Sequence, residues 1–192
     1  ETGGSGLWML ILLALVLLAV CAVSGTLAWL TAKSDTVTNT FTTSDIKVEL
    51  TETNETYKMV PGYDIHKDPK AKVLAGSEEC FLFVKLEKSS NFDTYLEYAI
   101  ADGWTQLTTD KDGKAISDLV YYRKVLTKDI GTAYSVLAND QVTVKGEVTK
   151  AMMDGLTTET LPKLTVTAYA SQLYKSAGVE FTAAEAWANV TP

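Results

Sequence analysis

Cys80-Phe81-Leu82-Phe83-Val84-Lys85-Leu86-Glu87 is the most apolar stretch of this 192-residue chain beyond its N-terminal apolar run, and its reading decides the fold. The segment is short for a helix and suits a strand. Strand alternation sets Cys80, Leu82, Val84 and Leu86 on one face and Phe81 and Phe83 on the other, so both faces are nearly covered. A strand buried on both sides belongs at the centre of a sheet. Within that pattern Cys80 reads as a small buried hydrophobe, not as a reactive thiol.

The segments around it read as strands almost throughout, because Thr, Val, Tyr and Phe recur with period two and long helical periodicities are missing. Ile46, Val48 and Leu50 face one way and Lys47 and Glu49 the other, as in a strand with one wet side. Met59-Val60-Pro61-Gly62-Tyr63 is a turn, followed by a polar strand over residues 64–74 in which Pro69 marks an edge. Ala75-Gly76-Ser77-Glu78 turns into the central strand. Residues 95–101 and 104–108 are expected to form the next strand pair. Thr109-Asp110-Lys111-Asp112-Gly113-Lys114 is a hairpin connection, with Gly113 where φ must be positive. A further strand is expected over residues 119–126, and a short strand or edge turn over 133–137. Val142, Val144 and Val148 alternate over residues 141–150 around Gly146, a candidate bulge. Residues 164–173 form the last long strand. Thr182-Ala183-Ala184-Glu185 fits a capping box for a short C-terminal helix carrying Ala186 and Trp187. Seven to nine strands in roughly 160 residues point to an all-β, antiparallel β-sandwich with Greek-key connections.

The N-terminal part has a different character. Glu1-Thr2-Gly3-Gly4-Ser5-Gly6 is Gly/Ser-rich and acidic where a signal peptide carries Lys or Arg, and it reads as an expression remnant. The run over residues 7–23 is uncharged and apolar, roughly 26 Å long as a helix, and 7–28 is a signal peptide or membrane helix. Thr26 and Ala28 place small residues three and one before a cut that leaves Trp29 as the mature N-terminus. Extended through Leu30 the run reaches roughly 36 Å, enough for a retained anchor. Cys21 follows Val20, not the small residue that lipidation wants.

The join Gly25-Thr26-Leu27-Ala28, then Trp29 and a Thr/Asn-rich stretch ending in Phe41, resembles proteins processed by the SipW-type signal peptidase, the TasA/camelysin family. The resemblance extends through Met59-Val60-Pro61-Gly62, residues 75–86, Val120-Tyr121-Tyr122, Leu164-Thr165-Val166-Thr167-Ala168-Tyr169-Ala170 and Ala186-Trp187. It covers most of the chain, through motifs that are individually soft. It implies a jelly-roll-like sandwich over residues 44–192. It also implies a secreted subunit of biofilm matrix fibres in a Gram-positive-like bacterium, a homopolymer joined where needed by a minor anchor protein.

The arm over residues 29–43 has two readings. It is the first strand of its own sandwich, or a donor strand whose Val37, Asn39 and Phe41 add to the open sheet edge of a neighbouring subunit. Fibres of the TasA type are built by strand donation, which the resemblance carries to this arm.

Chemistry-bearing patterns are few. The chain has 17 basic against 24 acidic side chains, a net charge of −7, and Glu1 is the only charged residue before Lys33. An acidic exterior argues against a phosphate-binding surface, and no nucleic-acid partner is expected. Camelysin-like proteins have been classed as metallopeptidases, yet a zincin needs two His one helical turn apart around a Glu, and His66 is the only His. No catalytic residue, cofactor or metal is expected. Asp110-Lys111-Asp112-Gly113 opens like a calcium loop without its later oxygen ligands or closing Glu. Leu161-Pro162-Lys163-Leu164-Thr165 approaches a sortase signal but lacks its Gly and apolar tail. Asn54-Glu55-Thr56 and Asn189-Val190-Thr191 match glycosylation acceptors. The leading expectation is therefore an exported structural fibre subunit. A membrane-tethered monomeric surface domain is the alternative, and a secreted metallopeptidase a distant third.

Overall fold

The computed structural model describes residues 46–53 and 58–190. The hexapeptide 1–6, the apolar run 7–28 with Cys21, Thr26 and Ala28, the arm with Trp29, Val37, Asn39 and Phe41, and the Asn54 acceptor lie outside the described residues. In chain order the first six strands are β1 (Val48–Thr51), β2 (Asp64–His66), β3 (Lys70–Val73), β4 (Cys80–Lys88), β5 (Leu96–Glu97) and β6 (Thr105–Thr109). The other six are β7 (Ala115–Val125), β8 (Ala133–Ser135), β9 (Gln141–Val144), β10 (Leu164–Gln172), β11 (Tyr174–Ser176) and β12 (Val179–Glu180). Three short helices interrupt them: α1 (Phe92–Tyr95), α2 (Lys150–Asp154) and α3 (Ala183–Ala188).

The described part is mostly β, every strand pair is antiparallel, and a short helix closes the C-terminal end. The four-stranded sheet has the order β10-β4-β7-β6, so β4 is an interior strand as its apolar faces demand. Cys80, Leu82, Val84 and Leu86 enter the main core with Ala168 and Ala170 of β10 and Val125 of β7. Val48 of β1, Ala71 and Val73 of β3, and Val142 and Val144 of β9 meet them across that core. Phe81 and Phe83 point the other way and join Leu107, Val120, Ala186 and Trp187 in a second cluster under α3. Burying each such Phe or Leu contributes roughly 1.5–3 kcal/mol, so covering both faces makes β4 the strand on which most packing depends.

The capping box at α3 is formed: Thr182 Oγ1 accepts from the Glu185 amide at 3.2 Å, and the Glu185 carboxylate accepts from the Thr182 amide at 2.8 Å. The helix so started lays Trp187 against Phe83 and edge-on to Tyr169, each with ring centroids 5.2 Å apart.

Four expectations are corrected. The strand over residues 64–74 is two strands in two sheets: β2 pairs with β9 in the order β2-β9-β5, and β3 pairs in the order β1-β3-β8. The break is a corner. Pro69 has no amide to give a ladder, and opposite it Asn139 and Asp140 take left-handed φ values of 55° and 53°. Backbone bonds from Val136 to the Pro69 carbonyl and from Lys67 to the Asp140 carbonyl, both 2.9 Å, carry the pairing around the bend.

Residues 95–101 do not pair with 104–108. Leu96 and Glu97 lie opposite Val144 and Thr143, Ile100 bridges Leu137, and β6 pairs with β7 through the 109–114 hairpin. The strand over 141–150 stops at Val144, because the chain turns at Gly146 and Thr149 caps α2 by accepting from the Met152 amide. Twelve strands occur among the described residues, more than the seven to nine expected. Corners split long strands, and the β11–β12 hairpin carries too little apolar pattern to read.

Candidate functional site

The feature that stands out is an edge. Among the described residues β10 pairs on one side only, with β4, over nine consecutive residues in unbroken register from Leu164 opposite Lys88 to Gln172 opposite Cys80. Its sequence, LTVTAYASQ, holds no charge, no Pro and no bulge. Those are the devices by which proteins blunt sheet edges, and a long regular edge without them offers its outer N–H and C=O groups to an added strand. The other edge of the same sheet is handled differently. There β6 has five residues, four of them exposed and polar, and its register slips between Leu107 and Thr109.

Beneath the β10 edge the side chains are apolar. Leu164 and Val166 are half-buried against the main core, Ala168 and Ala170 are buried in it, and Tyr169 lies on the opposite face. β1, itself the edge of its three-stranded sheet, runs close to β10, with Val48 buried and Leu50 half-buried. Each of these two strands is paired on one side only among the described residues.

A polar clasp holds the far end of β1. The Asp68 carboxylate, only 7% exposed, accepts from the Thr53 amide at 3.0 Å and from the Thr53 hydroxyl at 2.6 Å. These bonds, the hydroxyl's first and the amide's second, hold the Asp68 carboxyl below its ordinary range, helped by the charges of His66 and Lys70 and opposed by burial. Lys67 pairs with Glu52 at 2.7 Å alongside, so the chain leaving β1 is tied to the β2–β3 corner.

On the β7/β8 flank the gap between the sheets is closed by side chains. Arg123 follows Tyr121 onto the core-facing side of β7 and lays its guanidinium on the Tyr134 ring of β8, Cζ lying 3.6 Å from the ring centroid. Trp104 flanks it at 5.3 Å and donates its indole N–H to the Ser135 carbonyl at 2.9 Å, which ties the start of β6 to β8. Gly103, with φ of 84°, lets the chain pass: a Cβ there would stand 3.0 Å from Arg123 Nη2.

The remaining candidates from the sequence fall as follows. His66 stands on β2 with its side chain 61% exposed and its Nε2 3.8 Å from Asp68 Oδ2. Among the described residues no three His, Cys, Asp or Glu side chains converge. Asp110 uses one carboxylate oxygen to accept from the amides of Asp112 and Lys114, so this acid is consumed inside its own hairpin turn. Cys80 is buried and its thiol is pushed up to about 12 by that burial, which leaves essentially no thiolate at neutral pH. Leu164 of the sortase-like stretch opens β10, and Lys163 exchanges hydrogen bonds with Ser89. Asn189 is exposed just after α3, while Val190 beside it is buried.

Sequence reading missed the Arg123 stack and the Asp68 clasp. The first left one sign: Tyr121, Arg123 and Val125 share a strand face, so an arginine occupies a core-facing register. The second left none, since Thr53 and Asp68 are brought together only by the corner at Pro69. Among the described residues no helix is long and apolar enough to cross a membrane. No protein-family model, no curated protein and no solved structure matches the chain.

Proposed function

We propose that this chain is an exported, non-enzymatic structural subunit of extracellular matrix fibres, similar in kind to the TasA/camelysin proteins. On this reading its sheets form a jelly-roll-like sandwich, and each subunit receives a strand from its neighbour. The observation that carries the reading is the nine-residue, uncharged, regular edge of β10 beside the edge of β1, over apolar side chains. A strand laid there gains backbone hydrogen bonds along its length and buries alternate side chains against the core. The arm over 29–43 is the proposed donor: Val37, Asn39 and Phe41 share one strand face, on which Val37 and Phe41 are the apolar side chains to be buried. Release of that arm by cleavage after Ala28 makes it available, whereas an arm tied to a bilayer helix is not free to thread into a neighbour. The length of the apolar run 7–30, enough for a retained anchor, is what favours the second reading, a membrane-tethered monomeric surface domain.

The test is assembly. Chain beginning at Trp29 should form fibres visible by electron microscopy, and Phe41→Asp or deletion of residues 29–38 should leave soluble monomer. A synthetic peptide of residues 29–43 should cap growth. Normal fibres from the deleted protein would rule out donation by this arm.

A further inference from the structure

The bonds at the two ends of β10 fix which of its backbone groups face outward. Ser89 donates its amide to the Lys163 carbonyl at 3.0 Å, and Leu173 donates to the Glu79 carbonyl at 3.1 Å. Continued one step beyond each end, the register sets Lys163 opposite Ser89 and Leu173 opposite Glu79. Bonded pairs alternate with unbonded ones along an antiparallel ladder, so Thr165, Thr167, Tyr169 and Ser171 bond β4 as well. The amides and carbonyls of Leu164, Val166, Ala168, Ala170 and Gln172 turn to the other side. Among the described residues no backbone bond reaches them there from another segment.

Charge and pattern both suit this row to a second copy of the same chain. β10 is uncharged over its whole length, whereas the chain carries a net charge of −7. Two copies can therefore meet along β10 without opposing like charges, while the acidic excess of the rest works against association elsewhere. Turned about a two-fold axis through Ala168, β10 lies antiparallel to its copy with all nine residues opposed. Ala168 then meets Ala168, the branched Val166 meets the small Ala170, and Leu164 meets Gln172. These residues are the ones whose backbone groups point outward in both copies, so each opposed pair exchanges two bonds. Five such pairs give about ten bonds, the number that a typical protein interface carries.

We propose that two copies of this chain pair edge to edge through β10, antiparallel about Ala168, and so join their four-stranded sheets into one. The contact is isologous and closes after one partner. It uses the same outward groups that a donated arm would use, so the two occupants exclude each other. The pairing itself does not rest on the arm being a donor.

Thr167 reports the pairing. In this register it lies opposite Tyr169 of the second copy, which brings the two Thr167 side chains to diagonal positions about 7–8 Å apart on the outer face. The test uses the full chain in dodecylmaltoside micelles, with Cys21→Ala so that the buried Cys80 is the only native thiol left. Thr167→Cys in this background, treated with a short bis-maleimide, should give a crosslinked dimer and no larger species. Thr105→Cys, exposed on the other edge strand β6, should give none, which separates pairing from chance sharing of a micelle. Ala168→Pro keeps every bond to β4, because the amide it removes points outward, and it should abolish the Thr167 crosslink. If the proline variant fails to fold, the comparison of Thr167 with Thr105 decides. No dimer from Thr167→Cys, equal yields at the two positions, or a crosslink that survives the proline in folded protein overturns the proposal. Deleting residues 29–38 separates this contact from arm donation: an unchanged crosslink supports pairing of β10 with itself, and a lost one assigns the edge to the arm and overturns the proposal.

Discussion

Thr53→Ala should destabilise the protein at neutral pH and leave it nearly unaffected in strong acid. The hydroxyl of Thr53 donates to Asp68 at 2.6 Å, and the carboxylate that accepts it is only 7% exposed. A hydrogen bond to a charged group contributes about 1.5–3 kcal/mol. Thr53 itself is exposed, so water replaces part of the lost bond and the lower end applies, about 1.5 kcal/mol. With a urea m-value near 2 kcal/mol/M, the unfolding midpoint should fall by roughly 0.7 M at pH 7. The pH dependence follows from the direction of the shift. The folded carboxyl titrates below its ordinary value of 3.8, so its stabilisation is complete above the unfolded value and is lost as pH falls through the folded one. Thr53→Ala removes the largest cause of that depression. The difference between wild type and variant should therefore shrink as the carboxyl protonates, while contributions of His66, Lys70 and Lys67, common to both proteins, cancel. Chemical unfolding of both proteins at pH 7 and at a series of pH values descending below 3.8, followed by far-UV circular dichroism, measures it. A midpoint difference that nowhere shrinks along that series would refute the charged clasp.

Three other outcomes are expected. Cys80→Asp should unfold the domain at pH 7, because an unpaired carboxylate at a site with 0% exposure costs several kcal/mol against a total of about 5–15; an unchanged thermal melt would show β4 to be misplaced. Gly103→Ala should cost about 1–2 kcal/mol for the left-handed backbone alone and also displace the guanidinium of Arg123, read as a changed environment of the Trp104 indole by fluorescence and NMR. Pure protein should not cleave casein; cleavage abolished by a chelator and by His66→Ala would overturn the structural, non-enzymatic role.

What could be read from the sequence was what local pattern carries. The run 80–87 could be placed at a sheet centre because its two faces are both apolar, and the structure puts Leu82 and Phe83 in different clusters on its two sides. The capping box at Thr182 and the hairpin at 109–114 are short-range signals and were equally plain. What could not be read depends on bending. Pro69 looked like an edge marker, and only pairing with Asn139 and Asp140 in left-handed conformation reveals a corner that sends β2 and β3 to different sheets. Residues 95–101 pair with 137–144, a choice between two distant partners that period-two alternation does not make. The donor pattern expected at Val37, Asn39 and Phe41 lies outside the described residues, and the unpaired edge of β10 is a property of sheet order, which no window of residues contains.

The composition of β10 bears on fidelity. Along its core-facing side, volume falls from Leu164 and Val166 to Ala168 and Ala170, both buried. An incoming strand slipped by one residue would turn its apolar side chains to the wrong face. Slipped by two, it would keep the right face but set each of its side chains against a residue of different size. If a strand is added here as proposed, a graded edge of this kind weighs each register differently by side-chain size.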